Sequence, residues 1–176
     1  IRKYAKEQLG KELTEEEAQK VYDVKAHYFH EMPEAKVFDG VIDLMQKIKA
    51  SGLKIGIVTG SAQLPLIKRV TRDFGDYVSA DQITTAYDVK RGKPNPDPYL
   101  MGLQKAGNYL PTEGIVVENA PLGVHAGAAA GCYTVAINSG PLDDSVLLNE
   151  GADILFPTIR EFADYWEQFL NRFPKY

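Results

Sequence analysis

Thr59, Lys93 and Glu118 bring together a hydroxyl, an ammonium and a carboxylate, the groups that would hold a phosphoryl group and a magnesium ion. Thr59 closes the apolar run Ile55-Gly56-Ile57-Val58 and precedes Gly60-Ser61. Lys93 stands in the stiff segment Gly92-Lys93-Pro94-Asn95-Pro96-Asp97, and Glu118-Asn119 closes Ile115-Val116-Val117. Apolar runs ending in a polar group are what buried parallel strands look like where their carboxyl ends open into a binding crevice.

Each group also has a plainer reading. The Thr59 hydroxyl and the N–H groups around Gly60 and Ser61 can converge on an anion, or Thr59 can help cap the next helix. Pro94 restricts Lys93 to extended backbone, which suits a lysine aimed at a phosphate and also a solvated lysine in a proline turn. Glu118 and Asn119 offer two oxygens to a hard cation, or an exposed acid followed by a turn residue before Pro121.

The surrounding pattern alternates strands with helices. Lys54–Val58, Tyr77–Ser79, Ile115–Val117, Tyr133–Ile137 and Asp153–Phe156 are predicted strands. Gln63–Asp73, Pro98–Ala106 with Asp97 as N-cap, Leu122–Ala130 stopped by Gly131, a turn at Val146–Glu150, and Ile159–Phe169 are predicted helices. This predicts an α/β fold with a doubly wound, mostly parallel Rossmann-like sheet. Ahead of it, residues 1 to 30 are charged and helix-forming, with a capping box at Thr14-Glu15-Glu16-Glu17. Met32-Pro33 breaks that pattern, and a helix face at Val41, Leu44, Met45 and Ile48 follows. The expected division is residues 1–36, a helical segment, and 37–176, a core.

Composition narrows the class. Of the 176 residues, 44% are hydrophobic and 25% charged, an ordinary soluble balance. The net charge of −4 has no basic face to it, which argues against a nucleic-acid partner. No apolar run is long enough for a membrane helix, no signal sequence is visible, and the single Cys132 reads as a core thiol, so a cytoplasmic setting is expected. His27 and His30 are spaced for one helix face without a third ligand nearby, and nothing in the pattern sets an oligomeric state.

Taken in order, Ile57-Val58-Thr59-Gly60-Ser61, Lys93-Pro94-Asn95-Pro96-Asp97 and Val117-Glu118-Asn119-Ala120-Pro121-Leu122-Gly123-Val124 resemble the second, third and fourth motifs of the haloacid dehalogenase-like phosphohydrolases, in the β-phosphoglucomutase and phosphoglycolate phosphatase branch. The resemblance implies a magnesium-dependent phosphatase or phosphomutase acting on a small phosphorylated metabolite such as a sugar phosphate, through an aspartyl-phosphate. It implies that Thr59 and Lys93 are catalytic, that Thr59, Gly60, Ser61 and Lys93 bind the phosphate, and that Glu118 and Asn119 hold magnesium.

Two departures accompany it. The Asp-x-Asp strand that carries the family's nucleophile has no counterpart, because Asp39 is followed two residues later by Val41 and matches the linker instead; a core lacking its first strand and an inactive isolated chain are expected. Asn119 stands where the family usually has aspartate. Together these leave an alternative, a non-catalytic binding or regulatory protein on a decayed phosphatase core.

Overall fold

The computed structural model describes residues 2–34, 36–61 and 63–173. The chain divides into two compact units, Ile1–Val37 and Phe38–Tyr176. In the first, α1 (Arg2–Leu9) ends ahead of Gly10, whose φ is +62°. The next helix, α2 (Glu15–Glu31), starts with the expected capping box: Thr14 Oγ1 accepts from Glu17 N at 3.2 Å, and Glu17 Oε2 accepts from Thr14 N at 3.0 Å. Of the histidine pair, His27 lies beside Glu31 at 3.3 Å, and the His30 side chain falls outside the described residues.

The second unit is a parallel α/β core. It contains α3 (Val41–Ala50), β1 (Ile57–Val58), α4 (Leu64–Phe74), β2 (Ile83–Thr84), α5 (Asp97–Gly107), β3 (Ile115–Glu118), α6 (Pro121–Ala130), β4 (Tyr133–Ile137), α7 (Asp144–Asn149), β5 (Ile154–Phe156) and α8 (Ile159–Leu170). Every strand pair is parallel. β1 pairs with β2, in register Ile57 with Ile83 and Val58 with Thr84. The order β3-β4-β5 makes a second sheet, with Val117 opposite Val135 and Ile137 opposite Phe156. Among the described residues β1 and β3 each pair along one edge alone.

Several expected elements change, the strand expected at Lys54–Val58 being confined to Ile57–Val58. Tyr77–Ser79 is not a strand: Tyr77 and Val78 both donate to Phe74 O, extending the end of α4, and a capped 3-10 turn at Ala80–Gln82 follows. The partner of β1 is instead Ile83–Thr84, both buried. Asp97 is not an N-cap either. Pro96 holds that position, and the Asp97 carboxylate turns back to Arg91, with contacts of 2.9 and 2.7 Å.

The largest core cluster joins α3, β4, β5 and α8, where Phe162 and Phe169 are fully buried and meet edge to face at 5.1 Å. This burial accounts for the aromatic run of the last helix: Phe162, Trp166 and Phe169 recur on one face, and Trp166 Nε1 donates to Ser51 Oγ at 3.1 Å. At the N-terminus of α3, Gly40 has φ +89°, and a β-carbon there would stand 2.6 Å from Arg160 Cα, so glycine is required. A second cluster packs Tyr99 of α5 with Val116, Ala126, Ala130 and Cys132. α5 packs against β1, β2 and α6, and so connects the two sheets.

Candidate active site

Lys93, in the loop that enters α5, makes contact with the carboxyl ends of both β1 and β3. That loop is laced at three points. Asp88 Oδ2 accepts from Thr85 N at 2.7 Å and Thr85 Oγ1 at 2.8 Å, while Asp88 Oδ1 accepts from Lys105 Nζ of α5 at 2.8 Å. Asn95 donates to Gly92 O through both backbone N and Nδ2, and Arg91 holds Asp97 with two bonds. Hydrogen bonds from Lys105 and Thr85 lower the Asp88 carboxyl to about 2.

Held in this way, Lys93 Nζ donates to Val58 O at 3.3 Å, forms an ion pair with Glu118 Oε1, and lies 4.7 Å from the centre of the Tyr99 ring. The pair is largely sheltered, with side-chain exposures of 17% for Lys93 and 12% for Glu118. Tyr99 OH also donates to Glu118 Oε1, at 2.7 Å. Glu118 Oε2 accepts the backbone N–H groups of Asn119 at 3.0 Å and Ala120 at 3.2 Å. Burial pushes the Glu118 carboxyl up, but the Lys93 charge and the hydrogen bonds from Lys93 and Tyr99 outweigh it and hold the group below its ordinary value. Burial, reinforced by the Glu118 charge, pushes the Tyr99 phenol strongly upward, so it stays protonated and donating.

Thr59 follows β1 directly. Its N–H donates to Thr84 O at 2.8 Å, and its Oγ1 accepts from Ser61 N at 3.1 Å, while Ser61 Oγ accepts from Gln63 N at 3.1 Å. The two hydroxyls therefore fold a turn ahead of α4 rather than capping the helix from Thr59. Gly60 is exposed, and a β-carbon there would meet nothing within 4 Å.

Of the residues singled out by sequence, Lys93 and Glu118 are in direct contact and Lys93 also bonds the Val58 carbonyl, one residue before Thr59, whereas the Thr59 and Ser61 hydroxyls bond within their own turn. Asn119 is exposed, and its backbone N–H rather than its side chain makes the contact with Glu118. Two residues were not foreseen. Tyr99 reads in sequence as one more residue of a helix, and Gly123 as a small residue for helix–sheet contact. Their positions in the first turns of the helices that follow Lys93 and Glu118 are the available signal.

As metal ligands Glu118 and Asn119 would be an incomplete set by themselves. Among the described residues no three His, Cys, Asp or Glu side chains are grouped for a metal, and Glu118 already accepts four hydrogen bonds. One carboxylate and the neutral Asn119 oxygen would suit a magnesium ion only if its other oxygens came from phosphate, water and a further acidic residue. Beside them, a cleft of about 640 Å³ runs along β3 past Val117, Ile137, Val41, Ile159 and Phe38.

The sequence pattern of a haloacid dehalogenase-like hydrolase matches residues 1–131. Hexitol phosphatase A of Escherichia coli (strain K12) is 40% identical over 124 residues, which make up 70% of this chain and 55% of that protein. Validoxylamine A 7'-phosphate phosphatase of Streptomyces hygroscopicus subsp. limoneus is 32% identical over 131 residues, 74% of this chain and 59% of that protein. A solved structure from Bacteroides vulgatus, provisionally named a β-phosphoglucomutase, superposes with a TM-score of 0.88 at 43% identity, covering 99% of this chain and 70% of its own. The chain therefore spans a little over half the length of these two curated relatives. Among the described residues no helix is long and apolar enough to cross a membrane.

Proposed function

The chain belongs to the haloacid dehalogenase-like hydrolases, and we propose that its protein is a magnesium-dependent phosphatase or phosphomutase acting on a small phosphate ester, such as a sugar or sugar-alcohol phosphate. One observation carries this reading: Lys93 bridges the carbonyl at the end of β1 and the carboxylate at the end of β3, so a fixed cation stands where two parallel strand ends open. The names of the two phosphatase relatives support a polyhydroxylated substrate.

In this reading an aspartate from outside residues 1–176 lies on an extended segment beside β3, which pairs along one edge alone among the described residues. Residues 1–36 are, in this reading, the remainder of a small helical cap. The aspartate carboxylate attacks phosphorus, and the bond to the ester oxygen breaks as that oxygen takes up a proton from water. Lys93 balances the charge that spreads over the phosphoryl oxygens, and the Thr59 hydroxyl with the Gly60 and Ser61 backbone holds them. Water, or a second hydroxyl of the substrate, then attacks the aspartyl-phosphate and frees the carboxylate. Magnesium, when bound, supplies further neutralisation of the phosphate charge, with Glu118 and Asn119 as the residues of this chain that would hold it.

The test uses the full-length protein with a panel of hexose, hexitol and pentose phosphates, with magnesium and with chelator. Released phosphate and migration of the phosphate between hydroxyls are both measured. Magnesium-dependent turnover of at least one ester is the expected result. No turnover of any ester, together with no magnesium-dependent binding of beryllofluoride, would overturn the proposal.

A further inference from the structure

Tyr99 has no part in the chemistry proposed above, yet it touches both charged side chains of the rim. Its hydroxyl donates to Glu118 Oε1 at 2.7 Å, and its ring lies under the Lys93 ammonium at 4.7 Å. The ring itself belongs to the core, packed with Val116, Ala126, Ala130 and Cys132. We propose that Tyr99 is a positioning residue, which transmits the rigidity of the core to the Lys93–Glu118 pair so that the ammonium is presented to the phosphoryl group at one place.

The need for such a residue follows from the side chains involved. A lysine carries its charge on a flexible four-carbon stem, and a freely rotating ammonium contributes little to a transition state that demands fixed charge. Glu118 alone would not fix it, because the carboxylate can turn about its own torsions. The structure removes that freedom one oxygen at a time: Oε2 is held by the Asn119 and Ala120 N–H groups, and Oε1 by the Tyr99 hydroxyl. With both oxygens set, the second acceptor position of Oε1 defines where the ammonium rests, and the face of the Tyr99 ring closes the position from one side. The proposal rests on the reading of this rim as a phosphoryl-transfer site, because only there does the placement of Lys93 matter to a rate.

Tyr99→Phe in the full-length protein separates positioning from packing, since it keeps the buried ring and removes the hydroxyl. Lys93 is followed by competitive acetylation and mass spectrometry against the other lysines, alongside kcat and KM for the best ester. Loss of one charge-assisted hydrogen bond predicts acetylation of Lys93 rising about tenfold relative to the other lysines, and kcat falling about tenfold with KM nearly constant. Unchanged acetylation of Lys93 overturns the proposal, as does a rise in KM with kcat retained. If the wild-type protein neither turns over a phosphate ester nor binds beryllofluoride with magnesium, the function reading fails while the acetylation result still decides whether Tyr99 fixes the pair.

Discussion

The Glu118 carboxylate occupies the space where a β-carbon at Gly123 would stand. Position 123 is thus glycine because the third residue of α6 must make room for an anion turned back over its own helix start, where the Asn119 and Ala120 N–H groups meet it. Gly123→Ala forces the carboxylate out of that site. Better helix propensity at position 123 offsets only part of the cost, so a net loss of about 1–3 kcal/mol is expected, read as a lower urea midpoint at constant m-value.

Asp88 makes stability depend on pH. Its carboxyl is lowered to about 2 in the fold, against an ordinary value of 3.8, chiefly through Lys105 and Thr85. The unfolded chain therefore binds more protons across that window. The stabilisation is fully present above the ordinary value and is lost as pH falls through about 2. Asp88→Asn should flatten the fall in stability between pH 4 and pH 2 by about 1 kcal/mol, compared by urea titration at each pH. An acid limb identical to that of the wild type would show that the Thr85–Asp88–Lys105 network contributes nothing there.

Thr84 Oγ1 is buried without a hydrogen-bond partner, the one such side-chain atom among the described residues. It lies beneath α5, near where a Gly102 side chain would project. Replacing the hydroxyl by a methyl of similar size removes an uncompensated desolvation, so Thr84→Val should stabilise the protein by about 1 kcal/mol, or about 2–4 °C in Tm by calorimetry.

Asp39 tests how a site can be misread from sequence. It is an exposed aspartate near the expected start of the core, but both its oxygens are held by Arg160 at 2.9 and 3.0 Å, and that guanidinium also reaches Asp43 at 2.8 Å. Arg160 lowers the Asp39 carboxyl, and the contact ties α3 to α8. Asp39→Asn in the full-length protein should keep kcat within about threefold, as for a side chain that makes no bond to phosphorus. A loss on the scale of a missing nucleophile would reassign it.

Residues whose role is carried by long local patterns were the legible ones. The apolar runs before Thr59 and Glu118 marked strand ends, the proline-rich flank marked the Lys93 loop, and Thr14 with Glu17 marked the start of α2. Ile83–Thr84 escaped because two paired residues are too few to display any period, whereas Tyr77 and Val78 look strand-like and are spent on the end of α4. Asp97 looked like a cap because proline turns often precede one, but Arg91 six residues earlier claimed its carboxylate. The bond from Tyr99 to Glu118 crosses between the loop-linked helix and a later strand, and no spacing rule within either segment encodes it. Gly123 signals a close approach in sequence, but only the fold says that the neighbour is a carboxylate.

Lys93 can be separated from its structural role by a pair of variants. Lys93→Ala removes a preorganised charge and should lower kcat by a factor of about 100–1,000 in the full-length protein. It also leaves Glu118 sheltered beside Tyr99 without its cation, a burial that should cost about 3 kcal/mol of stability. In that variant the opposing Lys93 charge is gone, so burial acts on Glu118 with less resistance and its carboxyl moves up. Stability should then recover as pH falls and the acid is protonated, the reverse of the Asp88 behaviour. Combining Lys93→Met with E118Q removes both charges at similar volume and should restore most of the folding stability while leaving kcat low. Recovery of turnover in that double variant would mean that the ammonium serves the fold and not the phosphoryl group; recovery of stability alone assigns it to the chemistry.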